Sequence, residues 1–538
     1  MILALAFIAS FTLALGLTLL VKKVALKFKI VDQPGETRKI HSQAVPLLGG
    51  LAVFLAFFIV LFLFKDYFLV GNLNWRHLIG FFGGGLIIMI GGFLDDKYRL
   101  SAKQQIIFPL LAILLVILGG VEIEKITNPF GGFINFQNII WLSPVLILVW
   151  LLGMMYTTKL LDGVDGLVTG IGAIGSFIIF LFTLTTKYYQ PDIALAALIL
   201  TGAALGFLVF NFHPAKIFLG EGGSLFIGYA LGVLAIISGG KIAIALLIMG
   251  IPILDVLWTI IRRLLTGKNP FKFADKKHLH HRLLNLGLSQ KQTVFVFYFL
   301  ASAFGLSGLF LQSRGKIFTL GLLLLIMLIV VSLLRYFDRL KEVKKPSLLL
   351  HICCAPCGAY ITEEVLMFKY RVTWFFYNPN LNSEEEYNLR LKYVRLMAKR
   401  LGVQLKIVPY DHLLWLKKIK GRENDPERGA RCLICYLDRL RETAALAKEE
   451  GFNFFGTTLL SSPYKDIEMI KRQAADLASR FGVKFLEEDF QANDAYRNSQ
   501  ELAKQLGIYR QKYCGCEYSL NQKKPFIKER VFIKKDDK

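Results

Sequence analysis

Seven cysteines crowd the last third of the chain, at 353, 354, 357, 432, 435, 514 and 516. They form a Cys-Cys-Ala-Pro-Cys run, a Cys-x-x-Cys and a Cys-x-Cys. Thiolates bind zinc or iron–sulfur clusters, and thiols one residue apart can also cycle between dithiol and disulfide. Four thiolates suffice for either metal centre, so spacing alone leaves both open. A different chemistry is written before residue 300. Five loops set oxygen and nitrogen donors together, three of them beside glycine: Asp32-Gln33-Pro34-Gly35 with Arg38-Lys39-Ile40-His41; Asp95-Asp96; Asp162-Gly163-Val164-Asp165-Gly166; Asn211 with Gly220-Glu221-Gly222-Gly223-Ser224; and Asp255 with His278-Leu279-His280-His281-Arg282. Carboxylates beside Lys, Arg and His suit a Mg²⁺-bound diphosphate, and glycine lets backbone approach phosphate closely.

Two kinds of element must position these groups. The 538 residues are 54% hydrophobic and 19% charged, with no cysteine before 353; this excludes a disordered chain and a secreted disulfide scaffold. Eleven apolar segments are predicted, at about 2–21, 47–64, 78–94, 104–119, 140–156, 166–185, 191–210, 224–238, 242–260, 292–312 and 317–335, most near the ~20 residues a bilayer-crossing helix needs. With the N-terminus outside, the inside loops hold nineteen Lys and Arg and the outside loops seven, the asymmetry that the positive-inside rule expects. All five donor clusters then share the inner side. The odd span number places the rest of the chain in the cytoplasm, a reducing compartment, so the cysteines read as metal or redox groups. The expected address is the cell (inner) membrane. The net charge of +24 fits anionic partners. A glycine fingerprint, Gly170-x-Gly172-x-x-Gly175, lies inside an apolar segment without a preceding strand and reads as helix packing.

Residues 1–335 form a polytopic helical domain in this reading, 336–345 a charged linker, 346–520 an α/β domain and 521–538 a basic tail. Leu348–Ile352, Val372–Tyr377, Gln404–Pro409, Phe452–Thr457 and Lys484–Glu487 are expected as short buried strands. Amphipathic helices between them imply a mainly parallel, Rossmann-like sheet.

By motif order, spacing and membrane side, residues 1–335 resemble the polyprenyl-phosphate N-acetylhexosamine-1-phosphate transferases of glycosyltransferase family 4. The resemblance implies Mg²⁺-dependent transfer of a sugar-1-phosphate from a UDP-sugar to a membrane polyprenyl phosphate. It makes Asp95 and Asp96 the catalytic aspartate pair and Glu221 the Mg²⁺ ligand. Lys39, Asn211, Asp162, Asp165, His278, His280 and His281 become substrate-binding residues. The family carries asparagines where this chain has Tyr156 and Lys159, and aspartate where it has Glu221.

The C-terminal domain resembles the epoxyqueuosine reductases of the QueH type. The match runs through His351–Cys357, Phe376–Asn380, Glu386-Tyr387, Glu427-Arg428-Gly429, Arg431–Cys435, Thr457–Leu459, Ser462–Lys465 and Tyr509–Cys516. It implies reduction of epoxyqueuosine to queuosine in tRNA. Cys353, Cys354, Cys432 and Cys435 would hold a [4Fe–4S] cluster, and Cys514 and Cys516 would form a redox-active disulfide served by an unknown electron donor. Cys357 is left for a second metal ion near the cluster or for a thiol at a helix start. Arg428, Arg431, Arg510 and Lys512 are candidates to meet tRNA phosphates. Two rival readings remain: a membrane half that is only an anchor or lipid-binding module, and a C-terminal half that is a zinc-stabilised RNA-binding module.

Overall fold

A computed structural model describes the chain apart from residues 33–43, 71–72, 124, 128–132, 136–138, 140, 186–188, 240–241, 266–277, 312, 492–494, 512 and 521–538. Lys39, Lys512 and the basic tail thus lie outside the described residues. The chain divides into two compact units between Leu334 and Arg335.

In the first unit every expected apolar segment is helical. Seven helices are long and apolar enough to cross a membrane: Ile2–Lys27, Trp75–Tyr98, Leu142–Leu161, Pro191–Asn211, Gly220–Ile237, Gln290–Phe310 and the Arg314–Leu333 part of Ser313–Lys344. An eighth candidate is broken, Ile242–Ile248 and the helix from Gly250 meeting at 77°. Three apolar helices are shorter. Gly49–Leu63, for example, has 15 residues, a rise of about 22 Å against a hydrocarbon core of ~30 Å. The protein is a multi-pass membrane protein.

The helix Gly220–Ile237 runs through the middle of this unit, with 89% of its apolar window buried. It packs on Gly49–Leu63, Trp75–Tyr98, Leu142–Leu161 and Leu167–Thr183. Glycine makes two of these approaches. A methyl group at Gly92 would overlap the Cα of Gly222, and one at Gly50 would overlap the Cα of Gly223. Without a hydrophobic drive between helices in lipid, such backbone contact and close side-chain packing hold a bundle together. Phe54, Phe57, Phe58, Phe81 and Phe226 fill the neighbouring layer with tilted and edge-on ring contacts. The fingerprint glycines lie in the helix Leu167–Thr183; Gly170 faces the Tyr298 ring and Gly172 faces Ile227, so they serve helix packing as expected.

The second unit is built on five parallel strands: β1 (Ser347–His351), β2 (Arg371–Phe376), β3 (Gln404–Ile407), β4 (Phe454–Thr457) and β5 (Lys484–Phe485), in the order β3-β2-β1-β4-β5. Every residue of β1 is buried, as a central strand covered on both faces requires. The helix Glu384–Leu401 starts at a Ser383 cap and stops at Gly402; Ile467–Phe481 starts at an Asp466 cap and stops at Gly482. Both pairs follow the usual start and stop chemistry. The strand order reverses between β1 and β4, and the carboxyl ends at such a reversal form the crevice where ligands bind in open α/β sheets. The stretch expected as a charged linker is helical as far as Lys344, where the helix Ser313–Lys344 ends. Its Lys, Arg, Glu and Leu residues are good helix formers, and no Gly or Pro interrupts them before Pro346.

The glycine contacts yield a test. Gly92→Ala in the full-length protein should cost about 1–3 kcal/mol by overpacking and lower the thermal midpoint by several degrees. Gly153→Ala, whose added carbon meets nothing within 4 Å, should leave it unchanged. Equal midpoints would contradict the close approach.

Candidate functional site

The membrane unit gathers its acids where three helices end. Trp75–Tyr98 finishes in Asp95 and Asp96, and Arg99 turns the chain in the left-handed region. Asp95 Oδ1 accepts from the Leu100 backbone N–H at 2.8 Å and from Gln105 Nε2 at 3.1 Å. Asp96 Oδ1 accepts from the Glu221 backbone N–H at 3.2 Å, in the first turn of Gly220–Ile237, where the helix dipole favours negative charge. Gly220 is required there, since a Cβ would lie 2.6 Å from Asp96 Oδ2.

Lys159, on the last turn of Leu142–Leu161, reaches into the same place. Its Nζ lies 2.8 Å from Glu221 Oε2 and 3.9 Å from Asp95 Oδ2, and it donates to Gln105 Oε1 at 3.0 Å. The Glu221 contact is an ion pair without hydrogen-bond alignment, so Oε2 is a buried oxygen lacking an aligned donor. Asp162, capping the end of the Lys159 helix, is an electrostatic neighbour of both Asp96 and Glu221. Four neighbouring carboxylates, two of them within 4 Å of one ammonium, fit a divalent cation in donor chemistry. Among the described residues no three such side chains stand in ready coordination geometry.

The histidine motif meets this cluster through Gly163. His278 Nδ1 is 2.8 Å from Asp255 Oδ2, and Asp255 Oδ1 accepts from the Leu279 backbone N–H at 2.9 Å. Asp255 thereby fixes the ring through Nδ1 and turns Nε2 away from itself, the usual second-partner arrangement of a ligand-binding histidine. The His280 ring is parallel to His278 at 5.7 Å and lies 4.3 Å from His281; a Cβ on Gly163 would come 2.7 Å from His280 Nε2.

Two expected ligand-binding residues are turned to other partners. Asp165 Oδ2 binds His213 Nδ1 at 2.7 Å and accepts from the Ala215 backbone N–H at 3.1 Å. Asn211 accepts from Thr169 Oγ1 at 2.8 Å and donates to the Ile217 carbonyl at 3.0 Å. Both staple the loop that leads to Glu221.

In the second unit the thiols collect at the β1/β4 crevice. β1 runs directly into Cys353, and Cys354 caps the helix Ala355–Ile361. The two Sγ atoms are 4.0 Å apart, and Cys353 Sγ lies 3.8 Å from Thr458 Oγ1, just beyond β4. Cys357 Sγ is 4.0 Å from Ser499 Oγ. A second group opens the helix Ala430–Glu449. The Arg428 backbone N–H donates to Cys432 Sγ at 3.4 Å, and Arg439 Nη2 donates to Cys435 Sγ at 3.2 Å. The fold brings Cys514 and Cys516 back to this group: Cys516 shares a small buried cluster with Cys435, Trp415 and Ile419, and Cys514 Sγ accepts from Lys465 Nζ at 2.7 Å. Gly515 between them has φ +130°, a conformation reserved for glycine. All seven thiols are unpaired.

The two thiol groups meet around buried cations. Arg439 is within electrostatic reach of Cys435, Cys514 and Cys353, and Arg390 of Cys354 and Cys353. Burial pushes the Cys435 thiol up to about 12, against the pull of Arg439. Hydrogen bonding to Cys354 and burial hold Cys353 well above the usual thiol range. These thiols therefore keep their protons near neutrality unless a metal replaces them. Seven thiols in one crevice, with Arg439, Arg390 and Lys465 to offset thiolate charge, suit an iron–sulfur cluster in donor type, although among the described residues no three of them stand in ready coordination geometry. Arg439 was not apparent from sequence; its only signal is its place one helical turn after Cys435. Arg431, expected as a phosphate contact, is buried: it donates to the Glu423 carbonyl at 2.6 Å and stacks over Tyr518. Arg428 spends its guanidinium on the carbonyls of Pro463 and Tyr464.

Comparison with known proteins agrees with this division. Residues 78–239 match the glycosyl transferase family 4 and residues 348–522 match the epoxyqueuosine reductase QueH family. A probable undecaprenyl-phosphate N-acetylglucosaminyl 1-phosphate transferase of Bacillus subtilis is 34% identical over 336 residues, 61% of this chain and 90% of that protein. A decaprenyl-phosphate N-acetylglucosaminephosphotransferase of Mycolicibacterium smegmatis is 29% identical over 350 residues, 59% of this chain and 85% of that protein. The epoxyqueuosine reductase QueH of Streptococcus pyogenes is 34% identical over 204 residues, 37% of this chain and 78% of that protein. A membrane unit with a carboxylate cluster and an α/β unit with a thiol crevice are thus joined in one fusion enzyme, which belongs to glycosyl transferase family 4 through its first half and to the epoxyqueuosine reductase QueH family through its second.

Proposed function

We propose that the membrane half transfers N-acetylglucosamine-1-phosphate from its UDP-sugar to a polyprenyl phosphate. The convergence of Asp95, Asp96, Asp162 and Glu221 on one spot carries this reading, and the named relatives supply the donor and the acceptor class. A lipid phosphate oxygen attacks the donor β-phosphorus, the bond to the uridylate oxygen breaks, and UMP leaves with the electron pair. Mg²⁺ held by Glu221 and the aspartates would clamp the diphosphate and neutralise the charge passing to UMP. Asp95 and Asp96 anchor this end of the site, and His278, locked by Asp255, offers Nε2 to the donor phosphate. Lys39 is proposed as a further substrate contact on sequence grounds alone.

The C-terminal half is proposed to reduce epoxyqueuosine to queuosine in tRNA. Removing an epoxide oxygen takes two electrons and two protons and releases water. A [4Fe–4S] cluster on Cys353, Cys354, Cys432 and Cys435 would pass electrons singly. Cys514 and Cys516 supply two by closing a disulfide, which an external donor must reopen. The nearness of Cys514 and Cys516 to Cys432 and Cys435 also favours a second reading, in which those four thiolates form the metal set.

We further propose that the N-terminus lies outside and the C-terminal unit in the cytoplasm, on the strength of the loop charge asymmetry. A reporter fused after Lys345 should be active only as a cytoplasmic fusion; external activity would reverse the assignment.

Asp95→Asn and Asp96→Asn should each cut Mg²⁺-dependent UMP release by at least ~100-fold, whereas Glu221→Asp should retain activity. Unchanged release from either Asn variant would remove that aspartate from the site. In the C-terminal half, anaerobically purified protein should absorb broadly near ~400 nm and contain about four irons. Cys432→Ser should abolish both. Cys514→Ser should keep the colour and lose turnover if the pair is redox-active, and should bleach if the second reading holds. Because Cys353, Cys354 and Cys435 hold their protons, metal loading must release them, so reconstitution should weaken from pH 8 to pH 6. A colourless protein carrying one zinc would replace the reductase with the zinc-stabilised module.

A further inference from the structure

Lys159 has no counterpart in the chemistry described so far. It is a cation planted among carboxylates proposed to bind another cation. Its ammonium lies 2.8 Å from Glu221 Oε2 and 3.9 Å from Asp95 Oδ2. Gln105 ties the arrangement together, accepting from Lys159 at 3.0 Å and donating to Asp95 at 3.1 Å. The lysine side chain is only 17% exposed, so water screens it weakly. Its grip on Glu221 is by charge and not by an aligned hydrogen bond, which leaves that oxygen able to change partners.

We propose that Lys159 competes with the divalent cation for Glu221 and so sets the cation affinity of the transferase site. The inference rests on the reading of Glu221 and the aspartates as the metal cluster. An ammonium and a divalent ion cannot share one carboxylate oxygen at contact distance in a poorly screened site, since like charges there repel strongly. Cation binding therefore has to break the Lys159–Glu221 pair, and Gln105 keeps the displaced ammonium nearby. The lysine lowers cation affinity, in return holding the acidic cluster together while the metal is away.

The test is Mn²⁺ binding, followed by electron paramagnetic resonance on full-length protein in lipid nanodiscs without nucleotide. Lys159→Gln should bind Mn²⁺ at least ~10-fold more tightly than the unaltered protein, a gain of about 1.4 kcal/mol. Lys159→Arg, which keeps the charge, should stay within about threefold. Adding Asp96→Asn to Lys159→Gln should erase the gain and so locate the ion at this cluster. Lys159→Asn is read in the same way if the Gln variant fails to fold. A lysine that merely braces the helices would lower the thermal midpoint and leave Mn²⁺ affinity unmoved or weaker, and that result overturns the proposal while the metal reading stands. Absence of Mn²⁺ binding from every variant overturns both.

Discussion

The membrane site depends on how closely three helices approach. Gly92 faces Gly222 and Gly50 faces Gly223 with no room for a methyl group. That approach brings the end of Trp75–Tyr98 against the start of Gly220–Ile237, so Asp96 can accept from the Glu221 backbone. The acids are then close enough to repel one another, and Lys159 from a third helix offsets part of that repulsion. Packing energy thus holds carboxylates at separations they would not choose in water. The outcome is a small region of concentrated negative charge at one end of an apolar bundle.

The α/β half solves a similar problem with the signs exchanged. Its crevice lies where the strand order of the parallel sheet reverses between β1 and β4, a place with room because neighbouring crossovers lead away on opposite faces. His351 at the end of β1 bridges the sheet, with Nδ1 against Thr457 Oγ1 at 2.9 Å and Nε2 against the Tyr377 carbonyl at 3.0 Å. Burial and the nearby Arg439 push its pKa down to about 3, so it stays neutral and acts as a hinge pin for the strand ends. The buried arginines, by contrast, cannot shed their charge. Arg390 pairs with Glu386 at 2.7 Å, and Arg439 donates to the Cys435 carbonyl at 3.0 Å, so protein acceptors hold both positive charges beside the thiols.

The sequence revealed the elements more readily than their contacts. Apolar runs were enough to find the long apolar helices of the membrane half, because the bilayer sets length and composition together; short helices such as Lys65–Phe68 and Leu279–Asn285 fall outside those runs. The five strands were legible as short apolar runs, displaced by a residue or two because hydrogen-bond partners elsewhere decide where a strand stops. The charged stretch after Leu334 is helical as far as Lys344, which its charge did not announce but its helix propensity permits. The donor residues stood out by type and spacing. Their pairings did not: Asp165 binds His213 across 48 positions and Lys159 binds Gln105 across 54. Nothing local distinguishes Arg439 from the other charges of its helix until the fold buries it beside Cys435.

The separation of the thiols along the chain also constrains when the second site can exist. Cys353 and Cys354 follow the first strand of the domain, yet that strand is the middle one of the sheet and needs both β2 and β4 beside it. Cys514 and Cys516 come close to the end of the sequence. During synthesis the membrane helices emerge first, then a central strand with exposed thiols and no neighbours, and only much later the residues that enclose it. Parallel pairing across such distances is slow and leaves apolar edges uncovered. The full set of seven thiols cannot close before residue 516 has left the ribosome, whereas Cys353, Cys354, Cys432 and Cys435 have all emerged by residue 435.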